Sequence, residues 1–216
     1  YETKVPLMVY GGFGLGKSAM ARQEAEAIAK SKNKEFVDWN RTDAKTRQKM
    51  FQNPEKYFAF IDVRLSQNDN TDLKGIPKFD GEGEAVEWKL PKWIAYLANP
   101  EADGILFFDE INLAPPSVLA SAYQILHDRC MAETKLSDKI GLIAAGNRAE
   151  DRAHTFDMPS PLKDRMSEVE LELNSDKWFE WALIGGGGID PRIVAFLKFK
   201  QTLLSKIDKN GKAKPV

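Results

Sequence analysis

The run Gly11-Gly12-Phe13-Gly14-Leu15-Gly16-Lys17-Ser18 carries the densest chemistry in the chain. It has the spacing G-x-x-x-x-G-K-[ST]. Glycines admit positive φ and let backbone N–H groups close on an anion with no Cβ in the way. A lysine and a hydroxyl at the end of such a loop suit a polyphosphate and its metal ion: Lys17 for the β- and γ-phosphates, Ser18 for Mg²⁺. The loop, taken through Ala19, is the candidate phosphate cradle. An accidental glycine-rich turn with a surface lysine is the competing reading, and its surroundings argue against it. Residues 5–10 form an apolar run that reads as a buried parallel strand. Residues 17–29 read as a helix with Ala21, Ala25, Ile28 and Ala29 on one face, and its start adds a positive dipole end to the loop.

A second cluster is Ile105-Leu106-Phe107-Phe108-Asp109-Glu110, a wholly apolar strand ending in two carboxylates. In a parallel sheet, ligands bind beyond the carboxyl ends of the strands. Asp109 is therefore expected across from Ser18 at the metal ion, and Glu110 where it can polarise an attacking water. Taken alone the pair reads equally well as a strand running into a solvated turn. The phosphate loop gives it meaning.

The elements needed to hold these groups can be read in order. Strands are expected at residues 58–65, 105–108, 140–145 and 169–173, besides the first. Helices are expected at 44–51, 91–98, 117–129, 176–184 and 191–204, with a hairpin across 75–90 around Gly81 and Gly83. Residues 31–56 give no sharper reading than a polar connection with one helix. Strands alternating with helices predict an α/β fold, a P-loop αβα sandwich around a five-stranded parallel sheet. The glycines at 185–188 sit inside helical sequence. The expected organisation is a nucleotide-binding core over residues 1–174 and the start of an all-helical lid over 175–216. The first residue is Tyr1, so an upstream trim is expected, and the lid is expected to be cut short near residue 216.

Composition narrows the classes. The balance of 31 basic and 32 acidic residues leaves a net charge of −1, so no global field favours nucleic acid or an anionic membrane. One cysteine, Cys130, cannot form an internal disulfide or a cysteine-rich zinc site. No apolar run is long enough to span a membrane, and a cytoplasmic location is expected. His127 and His154 lack metal-site spacing. Trp178 and Trp181, three apart on one helix, read as packing. Lys45, Arg47 and Lys49 read as a solvated basic face.

Further stretches complete a pattern: Arg64-Leu65-Ser66 with Thr71-Asp72-Leu73-Lys74-Gly75-Ile76-Pro77, Phe108-Asp109-Glu110-Ile111-Asn112-Leu113-Ala114, Ala144-Ala145-Gly146-Asn147-Arg148, and Met158-Pro159-Ser160-Pro161-Leu162-Lys163-Asp164-Arg165. Together with the phosphate loop they resemble the MoxR branch of the AAA+ ATPases over nearly the whole chain, from about residue 5 to 204. Closest are bacterial and phage members encoded beside a von Willebrand A-type protein. The resemblance implies ATP and Mg²⁺ as ligands, a hairpin insert, assembly into a ring (usually a hexamer), and chaperone-like remodelling of a protein with a von Willebrand A-type partner. It implies that Asn147 is the polar residue called sensor 1, on a strand between the phosphate-loop strand and the acidic strand. Alone, Gly146-Asn147 is an ordinary turn. It implies that Arg165 is the arginine finger supplied to a neighbouring subunit, against the reading of a surface arginine paired with Asp164 or Glu168. Arg129, Arg148 and Arg152 are further interface candidates. Arg192 resembles the lid arginine called sensor 2, and reads equally as a helix-start arginine on a solvated face. Gly12-Phe13 stands where many relatives carry prolines. Two other functions stay open: a nucleotide-switched binding module with slow hydrolysis, and a phage or restriction motor on nucleic acid.

Overall fold

The apolar runs near residues 5–10, 58–63, 105–108 and 140–145 are strands of one sheet. A computed structural model of the chain describes residues 4–12, 14–79, 83, 86–147, 164–172, 174–184, 188–200, 203, 206–207 and 213–214. The five expected strands are β1 (Leu7–Gly11), β3 (Tyr57–Arg64), β6 (Asp103–Asp109), β9 (Ile140–Gly146) and β10 (Ser167–Leu171). The sheet has six strands rather than five, because β2 (Glu35–Asp38) joins at one edge. Its four residues include only Phe36 and Val37 as apolar members, too little for a periodicity signal. The order is β10-β1-β9-β6-β3-β2, and all pairings are parallel. Strand β9 lies between β1 and β6, as expected.

Side chains alternate across the strands and divide the core in two. On one face, α1 (Lys17–Ser31) buries Ala21, Ala25 and Ala29 against Phe58, Phe60, Ile105 and Phe107. The small alanines let the helix approach sheet aromatics, and Phe60 stacks on Phe107 at 6.1 Å between ring centres. The other face is covered by α2 (Ala44–Gln52), α3 (Asn70–Lys74), α4 (Lys92–Leu97) and α5 (Pro116–Asp128). Met50, Leu73, Ile94, Val118 and Ile125 from these helices pack with Ile61, Val63, Leu106 and Phe108. Pro116 at the first turn of α5 fits a position whose N–H needs no partner. Arg47 departs from the solvated face expected of it: its guanidinium donates to the Trp39 carbonyl at 2.7 Å and lies over the Trp39 ring at 5.0 Å.

The expected hairpin is present as β4 (Ile76–Phe79) and β5 (Val86–Lys89), antiparallel, with Ile76 and Phe79 largely exposed. A smaller hairpin, β7 (Cys130–Met131) with β8 (Thr134–Lys135), follows α5. Helices α6 (Ser175–Leu183) and α7 (Pro191–Phe199) pack on each other through Phe179, Ala182 and Val194. Helix α7 stops short of the expected residue 204. Trp178 packs against this small cluster, whereas Trp181 is 42% exposed. Near the end of the sequence, β11 (Lys206–Ile207) pairs antiparallel with β12 (Ala213–Lys214). Among the described residues no helix is long and apolar enough to cross a membrane, and no three His, Cys, Asp or Glu side chains gather as a metal site.

At the amino end of β6, buried Asp103 is held by Lys32 and Lys34 at 2.8 and 2.9 Å. Gly104 follows, where β6 presses against β3. A Cβ there would stand 2.1 Å from the Ala59 carbonyl oxygen, a backbone atom that cannot swing away. Gly104→Ala should therefore destabilise the fold by about 2 kcal/mol or more, the scale of core overpacking. Urea denaturation measures it, and a change within ±0.5 kcal/mol, about what a surface substitution gives, would show that the two strands separate easily.

Candidate nucleotide site

Strands β1, β9 and β6 end side by side, and their following residues meet at one edge of the sheet. Gly14 and Gly16 in the loop after β1 have φ of 75° and 79°, a region that a Cβ penalises. Gly16 caps α1, and neither a side-chain cap nor a first-turn acid covers that helix end. The first turn of a helix carries N–H groups with no partner inside the helix, which suits an anion there. Phe13 lies outside the described residues. Gly11, Gly12, Leu15 and Ala19 occupy the loop and first turn as expected, with Ala19 exposed.

Lys17 Nζ donates to the carbonyls of Gly11 at 2.8 Å and Gly12 at 3.0 Å, and to Asn147 Oδ1 at 3.2 Å. Ser18 Oγ donates to Asp109 Oδ2 at 2.6 Å, although 91 positions separate them. The loop, the acidic strand end and the residue after β9 are thereby brought together. Asn147 is 3% exposed, and its Nδ2 is buried without a partner among the described residues. A buried amide donor left open beside a lysine and a helix start fits an anionic oxygen. The pairing of Ser18 with Asp109 fits a hydrated Mg²⁺, which takes a hydroxyl and a carboxylate readily.

Glu110 has φ 54°, the left-handed region, so its side chain leaves the sheet in a different direction from Asp109. The Asp109 Oδ1 carboxylate accepts the Glu110 N–H at 2.9 Å and holds that bend. Ser66, in the turn Leu65–Gln67 after β3, donates its hydroxyl to Glu110 Oε2 in a short hydrogen bond. Ser66 belongs to the stretch Arg64-Leu65-Ser66, and the sequence alone gives it no role. Its position one strand over from the acidic pair is the signal that a topology would have supplied.

The arginines divide. Arg165 is exposed and precedes β10 by two residues. Ser167 pairs with Leu7 and Leu171 with Gly11, so Arg165 sits at the amino edge of the sheet. At about 3.3 Å per residue it lies about 20 Å along the strand from the loop, beyond the reach of its own guanidinium. Arg129 caps α5 in a left-handed conformation and donates to the carbonyls of Ser137 and Ile140 at 3.1 and 2.6 Å. Arg148 and Arg152 lie outside the described residues, as does His154. Arg192 is exposed at the start of α7, with its guanidinium paired to Asp190 at 2.7 Å. The structure does not bring it to the loop.

Asp62, on β3, flanks this site. Burial, and then the negative Asp109, push its pKa up to about 6, and its Oδ1 has no partner among the described residues. The fold therefore disfavours the ionised form. Stability from the neutral carboxyl is complete below its ordinary range near 4 and is lost as pH rises through about 6. Asp62→Asn should raise the melting temperature at pH 8, with the gain fading on acidification and absent below about pH 4. Melting scans across pH check this, and a pH-independent effect would assign it to packing instead.

Comparison with known proteins agrees with the fold. Residues 6–166 match the family model described as AAA domain (dynein-related subfamily). No curated protein matches the chain. Among solved structures, an ATPase candidate from Cytophaga hutchinsonii is similar at 15% identity and TM-score 0.48, over 87% of this chain and 48% of that one. NtrX from Brucella abortus is similar at 19% identity and TM-score 0.43, over 88% of this chain and 40% of that one. The ATP complex of NtrX gives 18% identity, TM-score 0.45, and 88% and 38% coverage. This chain thus spans less than half the length of these proteins. With its family model matched over most of its length, the chain belongs to the AAA domain family, dynein-related subfamily.

Proposed function

We propose that this chain is the ATP-hydrolysing core of a MoxR-type ring, with Mg²⁺ as cofactor. The observation that carries the reading is the convergence of Lys17, Ser18, Asp109, Glu110 and Asn147 on one edge of the sheet. The loop N–H groups and Lys17 hold the β- and γ-phosphates. Ser18 and Asp109 would hold Mg²⁺, which would supply charge neutralisation at the phosphate oxygens. Glu110 takes a proton from water as the water oxygen bonds to the γ-phosphorus. The bond from that phosphorus to the β,γ-bridging oxygen breaks, and ADP leaves. Asn147 Nδ2 donates to an oxygen of the transferring group.

Arg165 is too far from its own loop and exposed, which supports its service to a neighbouring copy. Residues 175–216 are proposed as the beginning of a lid whose angle follows the nucleotide, with Arg192 reaching phosphate once Asp190 releases it. Assembly as a hexamer, a von Willebrand A-type partner, a protein client and a cytoplasmic setting complete the proposal on the resemblance alone.

The Ser66–Glu110 hydrogen bond favours a second reading, a nucleotide-switched binding module with slow turnover. A glutamate tied to a serine is turned away from base duty until something draws it out. A nucleic-acid motor has no such support, given the net charge of −1.

Two experiments decide. Lys17→Ala should abolish ATP binding, while Glu110→Gln should bind ATP yet lose at least about a hundredfold in turnover, the scale of general-base loss. Equal turnover of wild type and Glu110→Gln removes Glu110 from the chemistry. Separately, ATPase activity per subunit of the intact protein should climb with protein concentration, and Arg165→Ala should lower the plateau about a thousandfold. A flat concentration dependence with ATP still bound favours the switch module.

A further inference from the structure

Asn112 has no place in the scheme above, yet its amide hydrogen-bonds both peptide groups of Asn147. It lies in the turn Ile111–Leu113, two residues past Glu110, and is 7% exposed. Its Nδ2 donates to the Asn147 carbonyl at 2.7 Å, and its Oδ1 accepts the Asn147 N–H at 3.1 Å. Strand β9 ends at Gly146, and its ladder with β6 ends earlier, at Ala144 opposite Phe108. The peptide groups of residue 147 thus lie past the sheet. One carboxamide supplies both hydrogen bonds that a further strand residue would have given.

The packing around this contact leaves little freedom. A Cβ on Gly146 would come within 3.1 Å of Asn112 Oδ1 and 2.8 Å of Met8 Cε, so glycine is what lets the amide in. The Asn147 side chain beside it accepts from Lys17 Nζ through Oδ1, and its Nδ2 is buried without a partner among the described residues. We infer that Asn112 is a positioning residue: it fixes the backbone of residue 147 so that the Asn147 amide meets the transferring phosphoryl group, and it joins that amide to the turn bearing Glu110. The inference rests on the ATPase reading and goes beyond it, since it makes the base and the amide donor parts of one rigid piece.

A purely structural amide would cost stability on removal and nothing specific in the reaction. The test separates the two. In the intact protein, Asn112→Ala should lower kcat by about tenfold to a hundredfold, the effect of misplacing a catalytic group by about 1 Å, while KM for ATP moves less than about threefold. In an Asn147→Ala background the same change should lower kcat no further, because Asn112 acts through Asn147. An unchanged kcat, or losses that multiply in the double variant, overturns the inference. If Asn112→Ala does not fold, Asn112→Ser takes its place in the same cycle, since a short hydroxyl cannot serve both peptide groups. Lys17→Ala and Glu110→Gln run beside these. If they hydrolyse ATP as wild type does, the ATPase reading has failed; if they fail as expected and the Asn112 cycle is additive, only the positioning role has.

Discussion

Strands β1, β9 and β6 must finish level with one another, and the site depends on this register. Tyr10 pairs with Gly146, and Phe108 with Ala144. Shift any one strand by two residues and about 6.6 Å separates groups that now touch. The Ser18–Asp109 and Lys17–Asn147 hydrogen bonds are consequences of that alignment, and they reinforce it. The register in turn is held from the far edge. Asp103 pairs with Lys32 and Lys34, and Gly104 packs closely on the Ala59 backbone of β3.

Beyond the strand ends, hydrogen-bonding partners must come from side chains, and asparagine supplies them twice. Asn112 serves both peptide groups of residue 147. Asn40 does the same for Asp62 at the β2 edge, donating to its carbonyl at 2.8 Å and accepting its N–H at 3.1 Å. A primary amide offers a donor and an acceptor at the spacing of a peptide, so it can prolong a parallel ladder by one rung. Asp109, Glu110 and Asn147 stand on the last residue of a strand or just past it. That is where precision is hardest to keep, and these amides keep it.

Much of this was legible in the sequence because it is local. The phosphate loop is a contiguous motif, four of the five principal strands are apolar runs, and β10 alternates Val169 and Leu171 with glutamates. The pairing of Ser18 with Asp109 followed from the rule that parallel sheets bind ligands at their carboxyl ends. What escaped has a common cause. Strand β2 has two apolar residues and forms because Tyr57–Phe60 offers it an edge. Ser66 and Asn112 act on partners 44 and 35 positions away, and no local pattern marks either. Arg47 looked like one of three basic surface residues, and only the tertiary position of Trp39 draws it inward. For Arg165 the motif suggested the role, while the parallel register supplied the distance that excludes its own loop.

Helix α1 begins in the phosphate cradle and, among the described residues, is the helix whose alanines bury the aromatic face of the sheet. One segment therefore both borders the candidate site and packs one face of the sheet. Whatever orders its first turn also secures the packing of Ala21, Ala25 and Ala29. Occupancy and folding are then linked quantities: a ligand held at a hundred times its dissociation constant adds about 2.7 kcal/mol to the stability of the native state. In a cell where such a ligand is abundant, the empty form would be the one most open to proteolysis, and survival of the chain would itself report that the site is filled.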